Sequence, residues 1–418
     1  MSFVFADERG KLMFPIKNNN FQAKESTISI NKLHVFRGIH IETFEKLITC
    51  VQGTLLDIVI NFNKEDEDFL VPKYYHLDGN TENNQILVPA NHGHAFLTLS
   101  ENTIVLYHYG DIFDPAKTKS VNYRDPLLNM KLPIDTPPII SEKDLYAPLY
   151  QAIDYYIFGH SGFIGSVIVR DLLEKKKHIF KTKLRLENVE QIERELDIFK
   201  PKHIVCSAGL TGNPNISWCE THKTETIETN ITYQMTLVHL AHKKKIHLTL
   251  IGSGVIFKND RFYGEDESGN YDGNYYGKCR IVLENMVAQY DNVLYARVNY
   301  PISCIPSERN LITKILKYKT IQKNLITLTY IDELIPYMIE MAEEYDTGIC
   351  NLVNNGSICL TEVVRIYSSY KDHPYEVSSA ADTTKSNSLL SIGKLNRYNV
   401  MNTKEAVADC IRKYVLNY

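Results

Sequence analysis

The sequence predicts two domains of different class, an all-β sandwich or barrel followed by an α/β fold on a parallel sheet. Three observations carry this. Up to about residue 135, apolar residues alternate or come in short runs between turn residues. From Tyr155, apolar runs alternate with helical stretches, the pattern of βαβ units. Between the two lies the proline-rich "KLPIDTPPIISEKDLYAPLYQ", read as the tail of the first domain plus a linker. The boundary is placed within it, giving residues 1–148 and 149–418.

In the first domain the expected strands are "KLITCVQG", "LLDIVINF", "NQILVPA", "HAFLTLS" and "TIVLYHYG". In the second they are "YYIFG", "HIVCSAG", "HLTLIGSG" and "VLYARVN". The expected helices are "SVIVRDLLEKK", "VEQIERELDIF", "ITYQMTLVHLAHKKK" and "CRIVLENMVAQY".

The 418 residues are 44% hydrophobic and 23% charged, enough to bury two cores. A formal net charge of -4 gives no general attraction to nucleic acid or to an anionic membrane, so neither is expected as a partner. The lysine clusters at 175–177 and 243–245 sit near helix ends and read as solvated faces. None of the eight cysteines forms a C-x-x-C pair. The N-terminus lacks a basic region followed by an apolar run, and no stretch is apolar for the length of a membrane span. A cytoplasmic protein with free thiols is expected.

In "FGHSGFIGS", Gly159, Gly162 and Gly165 follow a strand and open a helix. Such a turn lets the backbone approach a pyrophosphate, which the free N–H groups of the helix start then bind. His160, Ser161, Phe163 and Ile164 complete this expected dinucleotide cradle. After the second strand, "KKKHIFKTKLRLEN" offers Lys181, Lys183 and Arg185, with no acid before Glu187. Cations there suit a 2′-phosphate, so NADPH is the expected cofactor, with NADH as the alternative.

"CSAGLTGNPNISWCETHKTETIETN" resembles the substrate loop of the short-chain reductases that make UDP-L-rhamnose. The resemblance continues through "NYYGKCRIVLENMVAQYDNVLYARVNYPIS", "ERNLITKILKY", "TYIDELIPYMIEMA" and "TGICNLVNNGS". It implies an extended short-chain dehydrogenase/reductase of Rossmann type acting on a UDP-4-keto-6-deoxyhexose. By the same resemblance, Ala208 and Gly209 line the cofactor, and Thr211, Asn215 and Cys219 line the sugar site. Reduction of a ketone needs an acid to protonate the developing alkoxide and a cation beside that acid. In this family these are a Tyr-x-x-x-Lys pair with a nearby Ser or Thr. Ser253 and Tyr276 match, but the fourth position on is Arg280, and Lys278 points to another helix face. The family's epimerase cysteine is replaced by Val255, while its lysine partner matches Lys314.

Something else must then supply epimerisation. "FADERGKL", "FRGIHIETFEKLITCVQGTLLDIVINF", "ILVPANHGHAFLTLSENTIVLYHYGDIFDP" and "RDPLLNMKLP…PPIISEKD" resemble, in order, the dTDP-4-keto-6-deoxyhexose 3,5-epimerases. Those are RmlC-like cupins, small metal-free jelly-roll barrels. The resemblance makes His40 the base, Asp144 its orienting carboxylate and Tyr107 the acid. Lys46 and His94 face the enolate, and Arg9 and Arg37 contact the nucleotide diphosphate. An aromatic of the sugar pocket is replaced by Ile112. His92 and His94 are spaced as in a cupin metal site, but the later glutamate is not at the expected spacing, so no metal is expected.

The expectation is a fused epimerase and 4-reductase, a homodimer by analogy, that makes UDP-L-rhamnose. One alternative acts on a UDP-2-acetamido-2,6-dideoxy-4-keto-hexose. Another is an epimerase carrying a non-catalytic nucleotide-binding Rossmann module.

Overall fold

The computed structural model describes residues 3–8, 10–16, 21–212, 215–258, 261–378 and 388–417. The chain divides near Ala152 into two compact units.

The first unit opens on the hairpin Phe3–Asp7 and Gly10–Phe14. Two antiparallel sheets follow. One orders the strands Glu25–Asn31, Thr103–Tyr109, Lys46–Gln52 and Gln85–Val88. The other orders Lys119–Ser120, Phe36–Ile41, His92–Thr98, Thr54–Asn61 and Pro72–Asp78. Their inner faces share a core of Ile48, Cys50, Leu55, Val59, Phe96 and Val105. This is the jelly-roll architecture. The five-stranded sheet is apolar on its other face too, where Phe36, Ile39, Ile58, Ile60 and Leu97 are covered by Val121 and Leu128. Met130, Leu132, Ile134, Ile140 and Tyr150 pack against the same cluster. The proline-rich segment is therefore a packed cover up to Tyr150, not a linker. Its apolar residues are spaced irregularly because they follow a sheet surface rather than a helix or strand period.

One bulge decides what enters this barrel. Arg37 is paired with Phe96 and His40 with His94, so the register shifts between them. His94 and Phe96 lie two apart and share a face, and Arg37 and His40 therefore share it as well, despite their odd separation. Gly38 makes the shift: its φ is +116°, and a Cβ there would lie 2.5 Å from the His94 carbonyl oxygen.

The second unit holds a six-stranded parallel sheet. Its spatial order is Ile179–Lys181, Tyr155–Phe158, His203–Cys206, His247–Ser253, Val293–Val298 and Gly348–Leu352. The strand order reverses between Tyr155–Phe158 and His203–Cys206, which opens a crevice at their C-terminal ends. Helices Phe163–Glu174 and Ile331–Glu343 join one core through Val167, Ile168, Leu172, Leu334, Ile335 and Met338. The helix expected from Ile231 begins earlier, at Lys223, and runs through a π turn at Glu228–Thr232 into Tyr233–Lys243. The polar "KTETIETN" hid its first turns, because it carries no apolar period. Among the described residues no helix is long and apolar enough to cross a membrane.

Candidate active sites

The first site lies between the two sheets of the barrel. On the five-stranded wall, His40 Nε2 and Asp144 Oδ1 are 2.8 Å apart. Asp144 arrives on the short helix Glu142–Leu145, whose start Ser141 caps by accepting the Asp144 N–H. The second carboxylate oxygen accepts the Gly38 N–H at 3.3 Å. Burial raises the Asp144 pKa, but the His40 contact, Gly38 and Ser141 outweigh it and hold the carboxyl below its usual range. An ionised Asp144 fixes the imidazole and supports positive charge on it.

His94 and Asp57 form a second pair on the same wall, Nε2 to Oδ2 at 2.8 Å, both buried. Lys46 is buried and ion-paired with Glu42. Burial lowers the Lys46 pKa, while the charges of Glu42 and Asp57 oppose that shift. Tyr107 stands on the opposite wall, in strand Thr103–Tyr109, its ring 6.3 Å from that of Phe96. Burial raises its pKa, against the Ser29 hydrogen bond and the Arg37 charge. The phenol thus stays protonated. Its oxygen is 3.4 Å from Ser29 Oγ, which accepts from Asn31 Nδ2 at 3.0 Å. Asn31 Oδ1 in turn accepts from Arg37 Nε at 2.8 Å. Arg37 is exposed. Arg9 lies outside the described residues. Ile112 is 70% exposed.

Asp57 and Glu42 were missed in the sequence. A lone acid inside the apolar "LLDIVINF" was the available signal for Asp57. Glu42 gave none, because its pairing with Lys46 depends on the chain path after His40.

The second site lies at the C-terminal ends of the parallel strands. Gly159 has φ +71°, and a Cβ there would lie 2.7 Å from the Ala208 nitrogen. A Cβ on Gly165 would lie 2.0 Å from the Gly159 carbonyl oxygen. The turn can close only with glycine at these positions, leaving a side-chain-free cradle over the start of helix Phe163–Glu174. That cradle fits a pyrophosphate. Phe163 and Ile164 pack into the core beneath it, while Ser161 is exposed and His160 half-buried. Lys181 ends the second strand and Lys183 and Arg185 follow it, all three exposed. Loop 208–210 is held by two side chains of the π-interrupted helix. Asn230 bonds both the N–H and the carbonyl of Leu210, and Gln234 donates to the Ala208 carbonyl.

Ser253 ends its strand, buried, and its Oγ accepts the Val255 N–H at 3.2 Å. Tyr276 and Arg280 are buried on helix Tyr275–Val287, and Lys278 is exposed. Arg280 Nη2 donates to the Ile251 carbonyl at 2.5 Å and Nη1 to Gln234 Oε1 at 3.4 Å. Just past loop 208–210, Thr211 Oγ1 and the Gly212 carbonyl accept from Arg309 at 2.6 and 3.0 Å. Arg309 was not singled out from the sequence. Burial, then the Arg309 charge, lowers the pKa of half-buried Lys314. Asn215 caps the following 3-10 turn, and Cys219 is fully buried within it.

Residues 2–152 match the model of the dTDP-4-dehydrorhamnose 3,5-epimerase family, and residues 155–296 match the NAD dependent epimerase/dehydratase family. A bifunctional dTDP-4-dehydrorhamnose 3,5-epimerase/dTDP-4-dehydrorhamnose reductase of Arabidopsis thaliana is 33% identical over 231 residues, 53% of this chain and 76% of the relative. The chain belongs to the dehydrorhamnose 3,5-epimerase/reductase family. A crystal structure of a UDP-rhamnose synthase from Acanthamoeba polyphaga mimivirus matches with 26% identity and a TM-score of 0.59, over 63% of this chain and 100% of that one. A trifunctional UDP-glucose 4,6-dehydratase/UDP-4-keto-6-deoxy-D-glucose 3,5-epimerase/UDP-4-keto-L-rhamnose-reductase of Arabidopsis thaliana is 32% identical over 239 residues. The match covers 55% of this chain and 36% of that relative's length.

The two family models fall on the two folds in this order, and the second carries a nicotinamide cofactor for the reductase half. When bound, that cofactor supplies the electron pair for carbonyl reduction. The glycine turn would hold its pyrophosphate, and Arg280 and Tyr276 lie buried on helix Tyr275–Val287.

Proposed function

We propose that the protein inverts C3 and C5 of a UDP-linked 4-keto-6-deoxyhexose and reduces C4 with NADPH, giving UDP-L-rhamnose. The observation that carries the epimerase half is the placement of His40 and Tyr107 on facing walls of one barrel. A proton α to the C4 ketone leaves to His40 from one side. The electron pair moves onto the C4 oxygen, beside the Lys46–Glu42 and His94–Asp57 pairs. Tyr107 returns a proton to the carbon from the other side, and the centre is inverted. Solvent exchange on His40 and Tyr107 resets both groups.

In the reductase half, Tyr276 protonates the C4 oxygen beside the cation of Arg280. Exposed Lys181, Lys183 and Arg185, with no acid among them, support NADPH over NADH. The uridine nucleotide is supported by the names of the mimiviral and trifunctional relatives. The eight free cysteines suit a cytosolic setting, and a homodimer is the assembly proposed.

One observation favours a second reading, an epimerase with a non-catalytic Rossmann unit: Arg280 replaces the usual lysine and is tied to the Ile251 carbonyl. One incubation separates the two. The protein meets UDP-4-keto-6-deoxyglucose in deuterated water, with and without NADPH. Deuterium in the sugar together with NADPH consumption supports the bifunctional enzyme. Deuterium without consumption supports the second reading. Neither outcome with this sugar, but both with its 2-acetamido analogue, moves the substrate to the amino-sugar class.

A further inference from the structure

We infer that Tyr295 is a positioning residue of the reductase site, its ring holding the Arg280 guanidinium as a buried cation without a counter-ion beside Tyr276. The inference rests on the reductase reading above.

Two arginines are equally buried in this unit, and their surroundings differ. Arg297 is 1% exposed and fully engaged. Its Nε and Nη2 donate to Glu284 at 2.9 and 2.6 Å, and it also donates to Asn351 and to the carbonyls of Gly264 and Glu267. Arg280 is 2% exposed, and among the described residues its hydrogen-bond partners are the Ile251 carbonyl and the Gln234 amide oxygen. Its buried Nε has no partner among the described residues. Among the described residues no carboxylate lies within ion-pair distance of it, because Glu284, one turn further on, is taken by Arg297. A structural arginine at such depth is normally paired, since an unpaired buried charge is costly.

What Arg280 has instead is an aromatic face. Its Cζ lies 5.7 Å from the centroid of the Tyr295 ring. Tyr295 is fully buried, and its hydroxyl has no partner among the described residues, so the ring rather than the hydroxyl is what this position uses. The ring stands where only glycine permits it: a Cβ on Gly252 would lie 2.3 Å from its Cε1. Gly252 directly precedes Ser253. Room for the ring is thus provided next to the reacting end of the strand.

The other groups around the cation leave its charge uncancelled. On its own helix these are Tyr276, Cys279 and the engaged Glu284; on the neighbouring strands they are Cys206 and Tyr295. Burial pushes the Cys206 thiol up to about 12 and the Cys279 thiol and Tyr295 phenol upward as well, so all three stay neutral. The adjoining helix contributes the uncharged Gln234. Arginine in the lysine position therefore acts through its field on the Tyr276 phenol, and the ring sets how near that field lies.

The test uses the full chain and three variants. Tyr295→Phe keeps the ring and removes only the unpartnered hydroxyl. Tyr295→Leu removes the ring. Gln234→Glu sets a carboxylate beside the guanidinium and cancels its charge. NADPH affinity is read from cofactor fluorescence, and NADPH oxidation is followed against pH. The alkaline limb reports the acid that protonates the C4 oxygen, and a cation beside an acid favours its ionised form. The Phe variant is expected to match the parent. The Leu and Glu variants are expected to move the alkaline limb up by about one pH unit, and the Leu variant to bind NADPH more weakly. An unmoved limb and unchanged affinity in the Leu variant, with only a lower melting temperature, would make Tyr295 mere packing. If the Leu variant does not fold, an unmoved limb in Gln234→Glu overturns the inference by itself. A parent protein that neither binds nor consumes NADPH would overturn the reductase reading instead.

Discussion

Replacing Glu42 by Gln tests whether the Lys46 charge belongs to the epimerase. Both side chains of this ion pair are 4% exposed. Removing one partner of such a pair costs about 3–5 kcal/mol when the other stays charged. Lys46 has a way to limit that cost. Burial already lowers its pKa, and Glu42 is the largest opposing influence. Without Glu42 the pKa falls further, and the lysine escapes the penalty by losing its proton. Relative to an unfolded-chain value of about 10.4, neutralising a lysine at pH 7 costs about 4.6 kcal/mol, at 1.36 kcal/mol per unit. That sets a ceiling on the ionic part of the destabilisation.

The sign follows from proton counting. A lysine with a depressed folded pKa binds fewer protons folded than unfolded, so its contribution to stability improves as pH rises toward 10.4. Thermal unfolding from pH 6 to 9 is therefore expected to show a Glu42→Gln deficit that shrinks with rising pH. Sugar deuteration at pH 7 is expected to fall by about 10²-fold, the usual loss on removing one enolate-stabilising donor. A deficit independent of pH, with deuteration intact, would refute the reasoning and make the pair merely structural.

Replacing His40 by Ala is expected to abolish sugar deuteration while leaving NADPH binding at the parent level, and Tyr276→Phe to block NADPH oxidation while sparing deuteration; assay of both readouts on both variants checks this. Gly165→Ala drives a Cβ to 2.0 Å from the Gly159 carbonyl oxygen, so cofactor fluorescence titration is expected to show lost NADPH binding with deuteration unchanged. His203 and His247 face each other at the N-terminal ends of their strands, Nδ1 to Nδ1 at 3.5 Å. Burial, then the His247 charge, holds His203 down to about 4. Its folded pKa is below the unfolded value, so its contribution is full above pH 6.5 and is lost as pH falls toward 4. About 3 kcal/mol of acid lability is expected across that window. Denaturant unfolding of His203→Phe at pH 7 and pH 5 is expected to show a smaller difference than the parent.

The barrel strands were legible where one face is apolar and continuous. "KLITCVQG" and "TIVLYHYG" were read directly because Ile48, Cys50 and Val105 alternate into the inner core. Strand Glu25–Asn31 escaped because its inward positions are polar: Ser29 and Asn31 serve the Tyr107–Arg37 chain rather than the core. Strand Pro72–Asp78 carries a proline and mostly exposed side chains, so no burial pattern marked it. In the Rossmann unit the long apolar strands were plain, but Ile179–Lys181, only three residues long, is too short to carry a period. Among the site residues, those in compact motifs were found. Glu42, Asp57, Gln234, Arg309 and Tyr295 act through side-chain meetings that no spacing along the chain announces.

The glycine bulge at Gly38 has a consequence for how the barrel is able to change. Along a regular strand every residue is either inside or outside by parity alone, and this site depends on parity being broken once. Were the strand to run straight with every residue kept, the three-residue step from Arg37 to His40 would put the two on opposite faces. The base would then turn toward the packed cover while Arg37 stayed inside. Length and register are coupled here: a residue removed together with the bulge restores the parity, whereas a bulge removed without a residue breaks it. The strand's one irregular step is thus the part that cannot be tidied away.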